Sequence, residues 1–144
     1  MRTNAFTLIE MVLVILIVSV IASLALVAYN DVMSQQVERR MITDLKAIDA
    51  AIRIRESRLG PYDTCGAGCA TAQLNADLGL KLTPLAHVTY RCFWTGVTEN
   101  RCRGEYSEGP TYWEVTLWPA SVGDNPYCSS GTCPTCTAAG CDYL

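Results

Sequence analysis

The polarity of the chain changes sharply along its length. From Met11 to Asn30, twenty consecutive residues carry no charge, and the apolar stretch extends back to Phe6 with Glu10 as its one interruption. The stretch contains neither Gly nor Pro. A helix of this length spans about 30 Å, the thickness of a bilayer core, and only a helix satisfies the backbone cheaply in lipid or in a helical bundle. The pattern predicts over residues 6–30 a helix that spans a membrane or packs within a helical bundle.

Beyond that stretch the helical pattern becomes two-sided. Apolar residues recur at intervals of three or four, which places them on one face of an α-helix. They are Val37, Met41, Leu45, Ile48 and Ile52, with Ile42 and Ile54 at the flanks. The predicted solvated face carries Arg39, Arg40, Asp44, Lys46, Asp49, Arg53, Arg55, Glu56 and Arg58. Since no helix breaker occurs between Phe6 and Leu59, and Gly60-Pro61 is a stop signal, residues 31–59 are predicted to be the amphipathic half of the same helix.

Residues 61–144 predict a small Cys-rich globular β domain. Runs of β-branched and aromatic residues favour strands. These runs are His87–Thr95 and Tyr112–Trp118, with a further short strand within Arg101–Tyr106. A short helix is expected around Thr71–Leu78, whereas Ala120–Leu144 has no periodic apolar run and is expected to be irregular. The predicted fold class is α+β: a long N-terminal α-helix packed on a small antiparallel β-sheet, with a disulfide-stapled C-terminal tail.

The cysteines indicate the compartment and two of the cross-links. All eight lie between Cys65 and Cys141. Such a density fits an oxidising compartment, so we expect the N-terminus inside the cell and the C-terminus in the periplasm or outside. Cys65 and Cys69 flank a flexible Gly-Ala-Gly segment that lets their Cα atoms approach to disulfide distance. Cys92 and Cys102 could lie opposite each other across a hairpin.

The last four cysteines are expected to pair among themselves. They are Cys128, Cys133, Cys136 and Cys141. A direct Cys133–Cys136 bond would constrain little, so bonds that reach across the tail are preferred, joining one of the first two cysteines to one of the last two. The alternative links the tail to the sheet, for instance Cys92 to Cys128. Because the tail has few apolar side chains to bury, disulfides have to hold it in place.

Two groups of residues resemble metal sites. Cys133-Pro-Thr-Cys136 has the spacing of a redox dithiol or of half a zinc site, and the two other tail cysteines could complete four thiolates. It lacks the strand–helix context of a thioredoxin-like motif, and the compartment favours disulfides. Asp124, Asn125 and Asp142 could ligate calcium, but no EF-hand pattern is present and a role in turns is preferred. We therefore predict no metal and no cofactor.

Composition and the remaining side chains argue against catalysis and against nucleic-acid binding. Of the 144 residues, 50% are hydrophobic and 17% are charged, which excludes a disordered chain. The net charge of -3 leaves no basic excess for phosphates, so no nucleic acid is predicted as a partner. The single histidine, His87, forms no recognisable pair with a nucleophile and is assigned a structural role. Trp94, Trp113 and Trp118 are assigned to packing. No enzymatic activity is predicted.

The start of the chain resembles the leader and N-terminal helix of type IV pilins and type II pseudopilins. The resemblance rests on Ala5-Phe6-Thr7-Leu8-Ile9-Glu10-Met11 followed by the apolar stretch, and it covers residues 1–29. The chain has Ala5 where the family usually has Gly before the cut. Ser19 and Val27 stand where most members carry a Gly and a Pro.

The resemblance implies a structural subunit. Residues 1–5 would be a leader, prepilin peptidase would cut between Ala5 and Phe6, and the new amine of Phe6 would be methylated. Phe6 and Glu10 would act in assembly. Its partners would be the inner membrane before assembly, the pilus assembly machinery, and identical subunits in a helical filament at the cell surface or in the periplasm. Adhesion, motility, DNA uptake and secretion all stay open as roles of the filament.

The residues alone leave two other functions open. A secretory signal peptide ending near Ala25, or a plain membrane anchor, would make the chain a monomeric Cys-rich binding protein. A minor pseudopilin of type II secretion is the other alternative. The Glu10 carboxylate favours the pilin interpretation, since a charge at the head of the apolar run opposes insertion and a signal peptide has no use for it.

Overall fold

The structure, a computed structural model, describes residues 7–62, 65, 68–83, 85–94, 100–117 and 126–141, and for residues 26–28 the backbone alone. The chain forms two compact units, Met1–Ser34 and Gln35–Leu144. Helix α1 comprises Leu8–Leu59.

The continuity of α1 follows from the absence of helix breakers. Every residue of Ser19–Val27 is helical, so the prediction of an unbroken helix is confirmed. Its predicted first residue, Phe6, lies outside the described residues. The hydroxyl group of Ser19 donates to the carbonyl oxygen one turn earlier at 2.7 Å, which satisfies this polar side chain within the helix. At the other end, Gly60 adopts a φ of 88°, a left-handed conformation that suits glycine and ends the helix.

In the unit Gln35–Leu144, the predicted apolar stripe of α1 forms one side of the core. Its fully buried members are Met41, Leu45, Ile48 and Ile52. Ile54 was predicted to flank the stripe, but 55% of its surface is exposed. Two residues beyond Ile52, it points about 200° further round the helix. Asp44 was predicted on the solvated face and is instead buried, because the hydroxyl group of Tyr90 donates to its carboxylate at 2.8 Å.

Five strands form one antiparallel sheet in chain order. They are β1 (Cys69–Ala70), β2 (Val88–Phe93), β3 (Arg101–Glu108), β4 (Thr111–Leu117) and β5 (Tyr127–Gly131), and helix α2 (Thr71–Leu78) follows β1. Alternate residues of β2, such as Val88 and Tyr90, face the core. On β3, Gly104 allows a close approach of α1, because a Cβ atom there would collide with the Met41 side chain.

The predicted α+β class is confirmed, and two short strands were not predicted: β1, which directly precedes the Thr71–Leu78 helix, and β5 in the tail. The predicted strands and the Thr71–Leu78 helix are present within one or two residues, with Trp118 outside the described residues. The tail was predicted to be irregular, yet it contains β5, whose Ser129 and Ser130 give no apolar signal. This strand exists because β4 offers it a hydrogen-bonding edge, with Val115 opposite Cys128.

Candidate functional site: the exposed helix and the anchored tail

The apolar first half of α1 is exposed among the described residues of its own unit. Its large side chains from Leu8 to Leu24 are between 47% and 82% exposed. By length and composition, α1 is the one helix among the described residues that could cross a membrane. Burying a Leu, Ile or Val side chain is worth about 1.5–3 kcal/mol, and soluble monomers do not leave so large an apolar surface in water. By its exposure and composition, this half of the helix is compatible with anchoring in a membrane.

The Glu10 carboxylate folds back onto the start of α1. Its Oε2 accepts hydrogen bonds from the backbone N–H of Thr7 at 2.8 Å and from the Thr7 hydroxyl group at 2.7 Å. The backbone N–H of Glu10 in turn donates to the carbonyl oxygen of Thr7 at 3.1 Å. This arrangement satisfies a donor that a helix terminus otherwise leaves free, and it places a negative charge at the positive end of the helix dipole.

The sequence analysis overlooked the role of Thr7. The signal was present, since Thr-x-x-Glu before an apolar run is a capping-box pattern. Ala5 and the Phe6 amine, the predicted processing site and the predicted partner of Glu10, lie outside the described residues. The structure therefore shows that Thr7 is the partner of the Glu10 carboxylate within the chain. Pairing of Glu10 with the Phe6 amine of another subunit stays a prediction.

All eight cysteines are in disulfides. The pairs are Cys65–Cys69, Cys92–Cys102, Cys128–Cys133 and Cys136–Cys141. The first two are the pairs that spacing and hairpin geometry favoured. In the tail, the preferred long-range pairing and the Cys92–Cys128 alternative are both wrong. Two local loops form instead, each between cysteines five residues apart.

The backbone of the tail explains this local pairing. The N–H of Cys128 donates to the carbonyl oxygen of Thr137, and the N–H of Cys141 donates to that of Pro126, both at 2.9 Å. The tail thus doubles back on itself through backbone bonds, and the disulfides only need to close its two short bends. Because Cys133 and Cys136 belong to different disulfides, Cys-Pro-Thr-Cys is neither a dithiol nor a zinc site. Among the described residues no group of three His, Cys, Asp or Glu is placed to hold a metal. Asp124, Asn125 and Asp142 are outside them.

His87 and the tryptophans contribute to packing. His87 lies in the turn before β2 with a φ of 66°, and its ring meets the Tyr106 ring edge-on at 6.3 Å. Tyr106 stacks on Trp113 with ring centres 5.0 Å apart. The indole N–H of Trp94 donates to the Glu56 carboxylate at 2.8 Å, which ties the loop after β2 to α1.

A second carboxylate on α1, Glu38, anchors the tail. Glu38 is fully buried. One of its oxygens accepts from the backbone N–H of Thr135 at 2.9 Å and from its hydroxyl group at 2.6 Å, and the other accepts from the N–H of Cys136 at 3.0 Å. A buried charge is tolerated only when it is hydrogen-bonded in this way. The donors to Glu38 are Cys136, the first residue of the Cys136–Cys141 loop, and Thr135 directly before it, so the carboxylate holds the start of this loop.

The sequence analysis did not identify Glu38 as a core residue. It stands three residues before Met41 and seven before Leu45, which puts it on the apolar stripe. A charged residue at a stripe position was the available signal.

A buried pair joins α1 to the sheet. The Asp44 carboxylate accepts from the Tyr90 hydroxyl group and forms an ion pair with Arg40 at 3.2 Å. Burial, and then the hydrogen bond to Asp44, raises the pKa of the Tyr90 hydroxyl well above its usual range.

No family model, no curated protein and no solved structure matches this chain. Its function is therefore argued from its own residues.

Proposed function

We propose that the chain is a structural subunit, a pilin, that is inserted in the inner membrane and then polymerises through the first half of α1 into a type IV pilus-like filament. The supporting observation is the contrast within α1. An apolar segment long enough to cross a membrane is exposed on all sides and carries one carboxylate, Glu10, three residues into the helix. Lipid would bury this apolar surface before assembly, and the helices of identical subunits would bury it in the filament.

Glu10 is the residue that gives this assembly its register. Inside a bundle of apolar helices an unpaired carboxylate is costly, so it requires a partner. Once the leader is cut between Ala5 and Phe6, the Phe6 amine of an adjacent subunit is a cation of the right charge. The Thr7 bonds hold the carboxylate at the helix terminus, where such an amine would arrive.

Imaging of filaments tests this role. Cells that produce the Glu10→Leu variant are expected to remove the leader normally and to make few or no filaments. Asp31→Asn is the matched control, because Asp31 is exposed on the same helix beyond the apolar stretch. Normal filaments from Glu10→Leu would refute the role of Glu10.

A further inference from the structure

The face of the sheet that points away from α1 carries three arginines around one phenylalanine. On β2 and β3 the residues between the core-facing positions include Arg91, Phe93, Arg101 and Arg103, which we call the arginine patch, and beside it Thr89 and Glu105. Arg91 pairs with Arg103 across the strands, and Phe93 pairs with Arg101. The guanidinium carbons of Arg101 and Arg103 lie 5.2 and 5.1 Å from the centre of the Phe93 ring.

Among the described residues, only one of the three guanidinium groups has a counter-charge. Arg103 is neutralised by Glu105 at 2.9 Å and by Glu114 at 3.3 Å. Within the described part of the chain, exposed Arg91 and half-buried Arg101 make no ion pair, and the buried Nε of Arg101 has no hydrogen-bond partner. Arg91 and Arg101 are therefore the members of the patch whose charge an anion from outside the chain would neutralise.

The charge of the surrounding segment favours a second copy as the source of that anion. Residues 61–144 contain four basic residues, of which the patch holds three and Lys81 is the fourth, against eight acidic ones. A long polyanion would meet a predominantly negative surface around the patch, whereas an acidic copy of the same segment supplies single carboxylates. Glu108 is the exposed carboxylate at the far end of β3 from Arg101. Its side chain is 58% exposed, it accepts a hydrogen bond from the Tyr106 hydroxyl group and lies 3.8 Å from the His87 ring, and it has no Arg or Lys partner among the described residues.

We propose that the arginine patch binds the Glu108 end of the sheet of a second copy of this chain. Arg101 and Glu108 lie at opposite ends of β3, seven residues or about 23 Å apart. Two different surfaces then meet in a head-to-tail contact, which leaves a free surface on each copy and can repeat along the proposed filament instead of closing as a symmetric dimer. Paired guanidinium groups bind carboxylates through strong charge-assisted bonds. The inference rests on the proposed function in that the second copy is the neighbour in the filament.

Charge reversal and charge exchange test the contact. Filament yield is expected to fall at least about tenfold for Arg91→Glu and for Glu108→Arg, and to recover in the variant that carries both, because the attraction is restored with its signs exchanged. Lys81→Glu is the matched control, since it makes the same charge change at an exposed basic residue outside the patch. All variants are checked for intact disulfides and an unchanged melting temperature. Filaments at the wild-type level from Arg91→Glu would overturn the inference.

A photo-crosslinking residue at position 111, beside Glu108, separates this inference from the proposed function. In cells producing the full chain, we expect it to capture the 91–103 segment of another copy. Capture without filaments would leave the contact standing and refute the proposed function. Filaments without capture would leave the proposed function standing and refute the contact. Filaments of Arg91→Glu that form normally but lose binding to added DNA would overturn the contact in favour of a polyanion site.

Discussion

The two halves of α1 differ both in how much apolar side chain they carry and in the environment of those side chains. From Leu8 to Leu24 the large side chains are exposed on every side, whereas from Met41 to Ile52 a single stripe is buried against the sheet. The carboxylates of Glu10 and Glu38 on α1 also differ in their environment. Glu10 bonds only to its own helix terminus, while Glu38 is buried and bonded to the tail. Apolarity all round a helix thus predicts partners outside the chain, and a stripe predicts partners within it.

Truncation of a core residue should show the largest difference between the halves. Leu45→Ala removes a fully buried side chain and is expected to lower the free energy of unfolding by about 3 kcal/mol. Leu16→Ala in the exposed half should leave it unchanged within about 0.5 kcal/mol. Urea unfolding of the detergent-solubilised chain measures both. An equal loss in the two variants would mean that the halves do not differ as described.

Removal of the Glu38 carboxylate should cause the second-largest loss in the free energy of unfolding. Glu38→Ala leaves the three donors of Thr135 and Cys136 without their acceptor and is expected to cost about 2–3 kcal/mol. Glu38→Gln keeps one carbonyl oxygen and should cost less. Hydrogen exchange should speed up in residues 133–141 first. Unchanged exchange there would show that the carboxylate does not hold the tail.

Opening one tail disulfide should have a somewhat smaller effect. The Cys136→Ser, Cys141→Ser double variant is expected to lose about 2 kcal/mol, since the loop it opens is short. Its hydrogen exchange should resemble that of Glu38→Ala, because both changes release the same loop. Thiol titration of unfolded wild type without reductant should find no free cysteine, and several reactive thiols would contradict the assigned pairs.

The smallest expected effect is a pH dependence at the Tyr90–Asp44 pair. The raised pKa means that folded Tyr90 keeps its proton where the unfolded chain has lost it. This contribution to stability is complete below the unfolded tyrosine pKa of about 10 and decreases as the pH rises above it. In Tyr90→Phe the decrease should be shallower, with the remainder due to Tyr106 and Tyr112, whose pKa values are also raised. Denaturation curves at about pH 9 and pH 11 check this, and equal slopes would contradict it.

Much of the fold was predictable because periodicity reports directly on burial. The stripe from Met41 to Ile52 and the alternation in β2 both appear in the structure. Strand β5 was missed because its residues are polar and its stability comes from the edge of β4, which is a tertiary effect. The tail disulfides were missed for the same reason, since they depend on backbone bonds between distant parts of the tail.

The candidate site was predictable in part. The exposed apolar half of α1 and Glu10 were apparent from the sequence, and Thr7 was available as a capping pattern. The burial of Glu38 and Asp44 could not be read from helix periodicity alone, because their partners Thr135 and Tyr90 lie far along the chain. Charged residues on or beside an apolar stripe are the positions where long-range partners should be sought first.

The intact mass of the chain isolated from the surface of the native cell tests the central claim most directly. The account predicts a filament fraction whose subunit has lost Met1 to Ala5 and gained one methyl group on Phe6, with all four disulfides formed. A soluble monomer that begins after Ala25, or a membrane-bound chain that retains Met1 with no filament fraction, would contradict it.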